Sequence, residues 1–184
     1  MIFVRIAMTA ALLSISSVAA AQTADGCDMD WPDDHSYQAY AARYFSGADT
    51  AAIDRLLACL ADPNPEIRDE GAFTLWSMGL RSRSLSPALM RYANARLQAT
   101  MVQPDDAAGF RRPFAALALS EIARADRVEA FLTDAERHGL ARAAAAYLRG
   151  VTDYRGFTAG EGWRHGIAHG ADLMLQLALN PRLT

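Results

Sequence analysis

Residues 71–80, G-A-F-T-L-W-S-M-G-L, carry no charge, and they follow a break at Asp62-Pro63-Asn64-Pro65. Asn64 can cap a helix with Pro65 at its first position. Glu66, Asp69 and Glu70 then fall in its first turns, where acids suit the positive end of the helix dipole. A helix that is apolar around its whole circumference must be buried. The rest of the chain therefore has to wrap this segment, and it carries the periodic stretches to do so.

Upstream, Tyr37 to Phe45 suits a short helix. Asp49 is a natural N-cap for a helix whose Ile53, Leu56, Leu57 and Leu60 form one apolar stripe. Downstream, Ser86-Pro87 repeats the cap-then-proline start, with Leu89, Ala93, Arg96 and Leu97 on helical spacing. Residues 103–109 read as a loop. Pro113 opens another helix with Phe114, Leu117, Ala118 and Ile122 on its buried side. Thr133-x-x-Glu136 is a capping box for a helix that runs to Arg149 and stops at Gly150. Thr158-x-x-Glu161 reads as a second box, for a last helix running to about Leu179 and ended by Asn180-Pro181.

No stretch shows strand alternation, so the expected fold class is all-α, stacked antiparallel helical hairpins. Residues 56–75 have the form of a HEAT-type repeat: helix, D-P turn, then a helix with an Arg in its first turn. A HEAT-like α-solenoid fragment is the expected architecture.

A chain of 184 residues with 52% hydrophobic residues suits one domain. All basic residues are Arg, the net charge is −3 and no basic run occurs. That balance argues against nucleic acid as a partner. Residues 1–21 read as a secretory leader: Arg5, a short apolar run from Ile6 to Val18, and Ala19-Ala20-Ala21 as the cleavage site. The run is too short for a stable membrane span. The expected organisation is a leader (1–21), an arm with a short helix (22–48, Trp31 as anchor) and a helical-repeat domain (49–184). A secreted or periplasmic location would let Cys27 and Cys59 form a disulfide.

Chemistry-bearing residues concentrate in residues 153–172. On an ideal wheel the side chains of Glu161, His165, His169, Asp172 and Gln176 share one stripe, and Trp163, Ile167, Met174 and Ala178 lie opposite. Gly162, Gly166 and Gly170, spaced by four, would allow a close backbone approach. Two histidines at i and i+4 can reach one divalent metal ion, with Asp172 as third ligand. The competing reading is the outer face of an amphipathic helix, or histidines hydrogen-bonded inside a stack. Arg155 is expected to pair with Asp153 or Glu70. Asp69 and Glu70 suit the helix dipole, and Arg111-Arg112 could hold an anion at a helix start. His35 and His138 have no supporting context. No phosphate loop, nucleophile elbow or serine triad is present.

Asp153, Arg155, Gly156 and Phe157, followed by Gly162, Trp163, His165, Ala168, His169, Gly170, Ala171 and Asp172, resemble a D-x-R-G-F then G-W-x-H-x-x-A-H-G-A-D signature. It is that of a bacterial all-helical family known as domain of unknown function 2785. Arg68, Asp69 and Glu70 are similar to an R-D-E stretch of that family, and Arg112 to the Arg of its R-S-F-S-A-L segment, with Pro113 where Ser is usual. The resemblance implies an all-helical fold and no defined activity. It also implies a chain cut short, since related chains continue past this helix; Trp163 would then lack a packing partner and form an exposed aromatic patch.

Three functions follow as expectations. The first is a binding module that presents residues 153–172, with Asp69, Glu70, Arg112, Asp153, Arg155 and Trp163 as ligand-binding candidates for a protein or small ligand. The second is a metal-dependent hydrolase using His165, His169 and Asp172, with Glu70 as base. The third is a purely structural fragment.

Overall fold

The computed structural model describes residues 27, 29–32 and 36–183. The expected leader and His35 lie outside the described residues. The chain forms seven α-helices, one π-helical segment and one small hairpin among those residues: α1 (Tyr37–Ser46), α2 (Thr50–Cys59), the π-helical segment (Glu66–Phe73), α3 (Thr74–Arg81), α4 (Pro87–Met101), α5 (Arg111–Val128), α6 (Asp134–Arg149), β1 (Phe157–Thr158), β2 (Gly162–Trp163) and α7 (Gly166–Ala178).

The helix starts follow local chemistry. Asp49 accepts the Ala52 amide at 2.8 Å, Ser86 accepts that of Leu89 at 3.3 Å, and Asn64 Oδ1 accepts that of Glu66 at 3.0 Å. The Thr133/Glu136 capping box is complete. At the start of α5, Asp106 accepts the amides of Gly109, Phe110 and Arg111. The protein's own carboxylate thus fills the anion position expected for Arg111-Arg112.

The uncharged segment is interior. Leu75 and Trp76 are fully buried, and Trp76 Nε1 donates to the Ala118 carbonyl at 3.0 Å. Its glycines are close-packing sites. A Cβ on Gly79 would lie 2.1 Å from the Phe45 ring, and one on Gly71 would lie 2.9 Å from Trp31. Trp31 is therefore the anchor of the arm, and the disulfide joining Cys27 to Cys59 ties the same arm to α2. For a closure of 32 residues the chain-entropy model gives about 3–4 kcal/mol.

Packing links each helix to the one two further along: α1 to α3, α2 to α4, α3 to α5, α4 to α6 and α5 to α7. Neighbouring pairs α4/α5 and α6/α7 also pack. α5 lies at the centre, touching α3, α4 and α7. It buries Phe114, Leu119, Ile122 and Asp126. Asp126 accepts from Arg137 Nε (2.7 Å), the Leu132 and Phe131 amides (2.8 and 3.0 Å) and Asn180 Nδ2 (2.9 Å). Burial alone would raise its pKa; these donors outweigh that and hold the carboxyl below its ordinary value.

One element departs from expectation. The last helix begins at Gly166, not near Thr158. Residues 157–163 form an antiparallel hairpin pairing Phe157 with Trp163 and Thr158 with Gly162. Gly160 and Gly162 have φ of +80° and +79°, which only glycine adopts freely. Glycines flanked by an aromatic on each side favour a turn over a helix start. Thr158 and Glu161 therefore cap no helix; both side chains accept from Arg164.

Candidate functional site

The change of element rotates the whole site. α7 buries Gly166, His169, Gly170, Leu173 and Leu177. Ile167, Asp172, Leu175 and Leu179 point outward. The stripe drawn through His165, His169 and Asp172 on an ideal wheel is thus split. His169 is inside, Asp172 is exposed, and His165 precedes the helix with φ of 52°. Trp163 is in the hairpin and does not share a helix face with Ile167. Gly170 faces α6, where an added Cβ would lie 2.5 Å from Leu148, and Gly162 faces Arg68 instead.

The side chains form a file of rings running inward from the surface. Phe157 and Trp163 are 5.2 Å apart, Trp163 and His165 stack at 4.2 Å, His165 and His169 are 5.6 Å apart, and His169 meets Phe114 edge-on at 5.0 Å. Exposure falls from 61% at Phe157 and 49% at Trp163 to 7% at His169 and 2% at Phe114. His169 Nδ1 lies 3.2 Å from the Pro113 carbonyl. A carbonyl only accepts, so Nδ1 carries the proton and Nε2 keeps its lone pair. Burial, and next the neighbouring His165, push the His169 pKa down to about 4, so the ring is neutral at pH 7.

Two buried arginines hold the hairpin from beneath. Arg164 donates from Nε to the Ala108 carbonyl (2.7 Å), from Nη1 to Thr158 Oγ1 (3.0 Å) and from Nη2 to Glu161 Oε2 (2.9 Å). Arg68 donates from Nη2 to the Glu161 carbonyl (2.9 Å) and to Asp69 (2.8 Å), and from Nη1 to the carbonyls of Asp62 and Pro63. Both guanidinium groups lie over the Phe110 ring, at 3.7 Å for Arg68 and 4.5 Å for Arg164. Arg68 Nε is buried without a hydrogen-bond partner. The ring face beneath the guanidinium supplies a cation–π contact in its place.

Apart from Trp163 and Glu70, the expected ligand-binding residues fall into two corners, one beside Gly162 and one beside Gly109. Asp69 sits at the Arg68 corner beside Gly162. Burial raises its pKa, and the attraction of Arg68 opposes that only in part. Glu70 is exposed. In the other corner, Arg112 and Asp153 line a cavity of about 10 Å³, roughly the space of one water. Arg112 is held by Asp105 (2.9 Å) and the Met101 carbonyl (3.0 Å). Arg155 pairs with Asp153, as one of its two expected partners, through Nε at 2.9 Å. That hydrogen bond holds the Asp153 carboxyl below its ordinary value. Among the described residues, no group of three or more His, Cys, Asp or Glu side chains gathers as a metal-binding set.

Sequence reasoning missed Arg164 and Phe110, while buried His169 beside the Pro113 carbonyl matches the competing reading of a histidine hydrogen-bonded inside a stack. Arg164 carries no signal beyond its place between Trp163 and His165. The hairpin did carry one, in the Gly160 and Gly162 turn between two aromatic residues.

No curated protein and no solved structure matches the chain. Residues 97–184 match the family model described as Protein of unknown function (DUF2785). From the last turns of α4 onward, the chain thus has the family resemblance that its Asp153, Arg155, Trp163, His165 and His169 pattern implied.

Proposed function

We propose that the chain is an exported binding module of the helical-repeat type, with the hairpin and the start of α7 as its recognition surface. The observation that carries this reading is the pairing of buried support with exposed aromatics. Two nearly inaccessible arginines each donate to a short hairpin, and that hairpin leaves Phe157 and Trp163 facing solvent, as Tyr154 and Ile167 also are. Rigid aromatic side chains on a supported element are the usual anchors of protein recognition. The packing of each helix on the one two further along supports a HEAT-like stack, because repeat arrays bury their cores this way. The disulfide supports export, since such bonds persist in oxidising compartments.

A photo-crosslinking amino acid at position 163 tests this directly, with position 142, exposed on α6, as control. A discrete partner captured from 163 and not from 142, and lost on Phe157→Ser, supports the reading. Equal capture at both positions, or capture indifferent to Phe157→Ser, rejects it.

A metal-dependent hydrolase at His165 and His169, with Glu70 as base and without the outward-facing Asp172 as third ligand, is the second reading. It draws support from the 5.6 Å separation of the two imidazole rings and from the free Nε2 lone pair of His169. Metal analysis of the wild type, His165→Ala and His169→Ala separates the two. Stoichiometric zinc lost in both variants favours the hydrolase, and no bound metal with no thermal shift on added zinc removes it.

A further inference from the structure

At the end of the stack away from the hairpin lies a cavity of about 400 Å³, between the end of α3, the start of α4 and the end of α5. Its size falls within the range of small-molecule sites, about 300–1,000 Å³. Leu80, Leu85, Met90, Val128 and Phe131 give it an apolar lining. Three arginines, Arg81, Arg83 and Arg124, and one acid, Glu129, complete the wall. Arg81 pairs with Glu121 behind the wall, and Arg83 pairs with Glu129 at 3.1 Å. Arg124 is half-buried and has no hydrogen bond or ion pair among the described residues. The cavity therefore carries one uncompensated positive charge against an apolar floor.

Arg83 adds an independent observation. The Ser84 amide donates to the Gly79 carbonyl and the Arg83 amide to that of Leu80, which is the hydrogen-bond pattern of a Schellman stop. Arg83 occupies its left-handed position, with φ of 59°, where glycine is the favoured residue. A cationic side chain at a glycine position, lining a cavity, breaks a local rule, and only an exposed ion pair with Glu129 is set against the backbone cost. Such departures mark functional positions.

We propose that this cavity binds a small amphipathic monocarboxylate, with its apolar body against Leu80, Leu85 and Phe131 and its carboxylate on Arg124, assisted by Arg83. Guanidinium groups recognise carboxylates through charge-assisted, planar hydrogen bonds. The apolar lining excludes small inorganic anions as the best fit, and the excess arginine disfavours neutral or cationic amphiphiles.

Calorimetric titration of the oxidised full chain with decanoate, decanol and decyltrimethylammonium tests the proposal, with methyl NMR to locate the site. The expected result is saturable one-to-one decanoate binding that shifts the Leu80, Leu85 and Val128 methyls, with both other amphiphiles at least about tenfold weaker. Arg124→Gln should weaken decanoate about tenfold. Arg83→Gly should weaken it several-fold while the melting temperature holds or rises, because glycine relieves the backbone. Absence of saturable decanoate binding, equal binding of decanol, or shifts confined to the hairpin would overturn the proposal. So would unchanged affinity in a folded Arg124→Gln protein.

Discussion

Two centres in this molecule are built on buried arginine, and they are finished differently. Arg137 is enclosed with Asp126, and the pair is closed by Asn180, the Leu132 carbonyl and two backbone amides. Everything it touches belongs to the joints between α5, α6 and the end of α7. Arg68 and Arg164 are just as buried, yet neither rests on a buried carboxylate. Their acids, Asp69 and Glu161, are half-exposed, and most of their donors go to backbone carbonyls and to the hairpin. The first centre closes on itself and locks the core. The second reaches outward and fixes the geometry of a surface.

That contrast orders the expected effects. Asp126→Ala leaves buried Arg137 with only the exposed Asp134 as counter-charge and should cost about 3 kcal/mol of stability. Chemical denaturation measures the loss, and the fraction that remains folded should retain hairpin-dependent capture. A loss below about 1 kcal/mol would show that the core lock is not one.

The next effect is a pH dependence set by His169. Its folded pKa, about 4, lies below the ordinary value of 6.5. The unfolded chain thus binds the proton more readily, and stability is complete above pH 6.5 and lost as pH falls toward 4. The loss is on the order of 3 kcal/mol, and the depressed Asp126 carboxyl extends it at lower pH. Stability curves from pH 7 to 4 should be flatter for His169→Phe than for the wild type.

Arg164→Met removes three hydrogen bonds to the hairpin and its support, at a cost of about 2 kcal/mol. It should abolish capture while the protein stays folded at 25 °C. Trp163→Ser should cost least, under about 1 kcal/mol, and should still abolish capture. A large fall in melting temperature for Trp163→Ser would make the ring a packing residue instead of a recognition residue.

The helical framework was legible from local chemistry. Asp49, Ser86, Thr133 and Glu136 each cap the helix that their position announced, and the uncharged run is buried around Trp76. These signals act within a few residues, so they can be read without the fold. The candidate site was legible in composition and not in direction. Trp163, His165 and His169 lie together, but the wheel that set Trp163 opposite the two histidines assumed a helix where Gly160 and Gly162 turn the chain. Once α7 starts at Gly166, its inward face is set by packing on α5 and α6. His169 goes inside while Leu175 and Leu179 go outside, against their ordinary polarities. Arg68 and Arg164 were hidden for the same reason. Their partners are backbone carbonyls and a Phe110 ring distant in sequence, and no spacing rule points to those.

Amide hydrogen exchange on the wild type and Arg164→Met tests most directly whether the hairpin is a separately supported surface. Local openings have their own free energies, distinct from global unfolding. The predicted result is fast exchange at the hairpin amides of Thr158, Glu161 and Arg164 in the variant, with α5 protection around Leu119 and Ile122 unchanged. Loss of protection in α5 together with the hairpin would contradict the account, because Arg164 would then lock the core as Arg137 does.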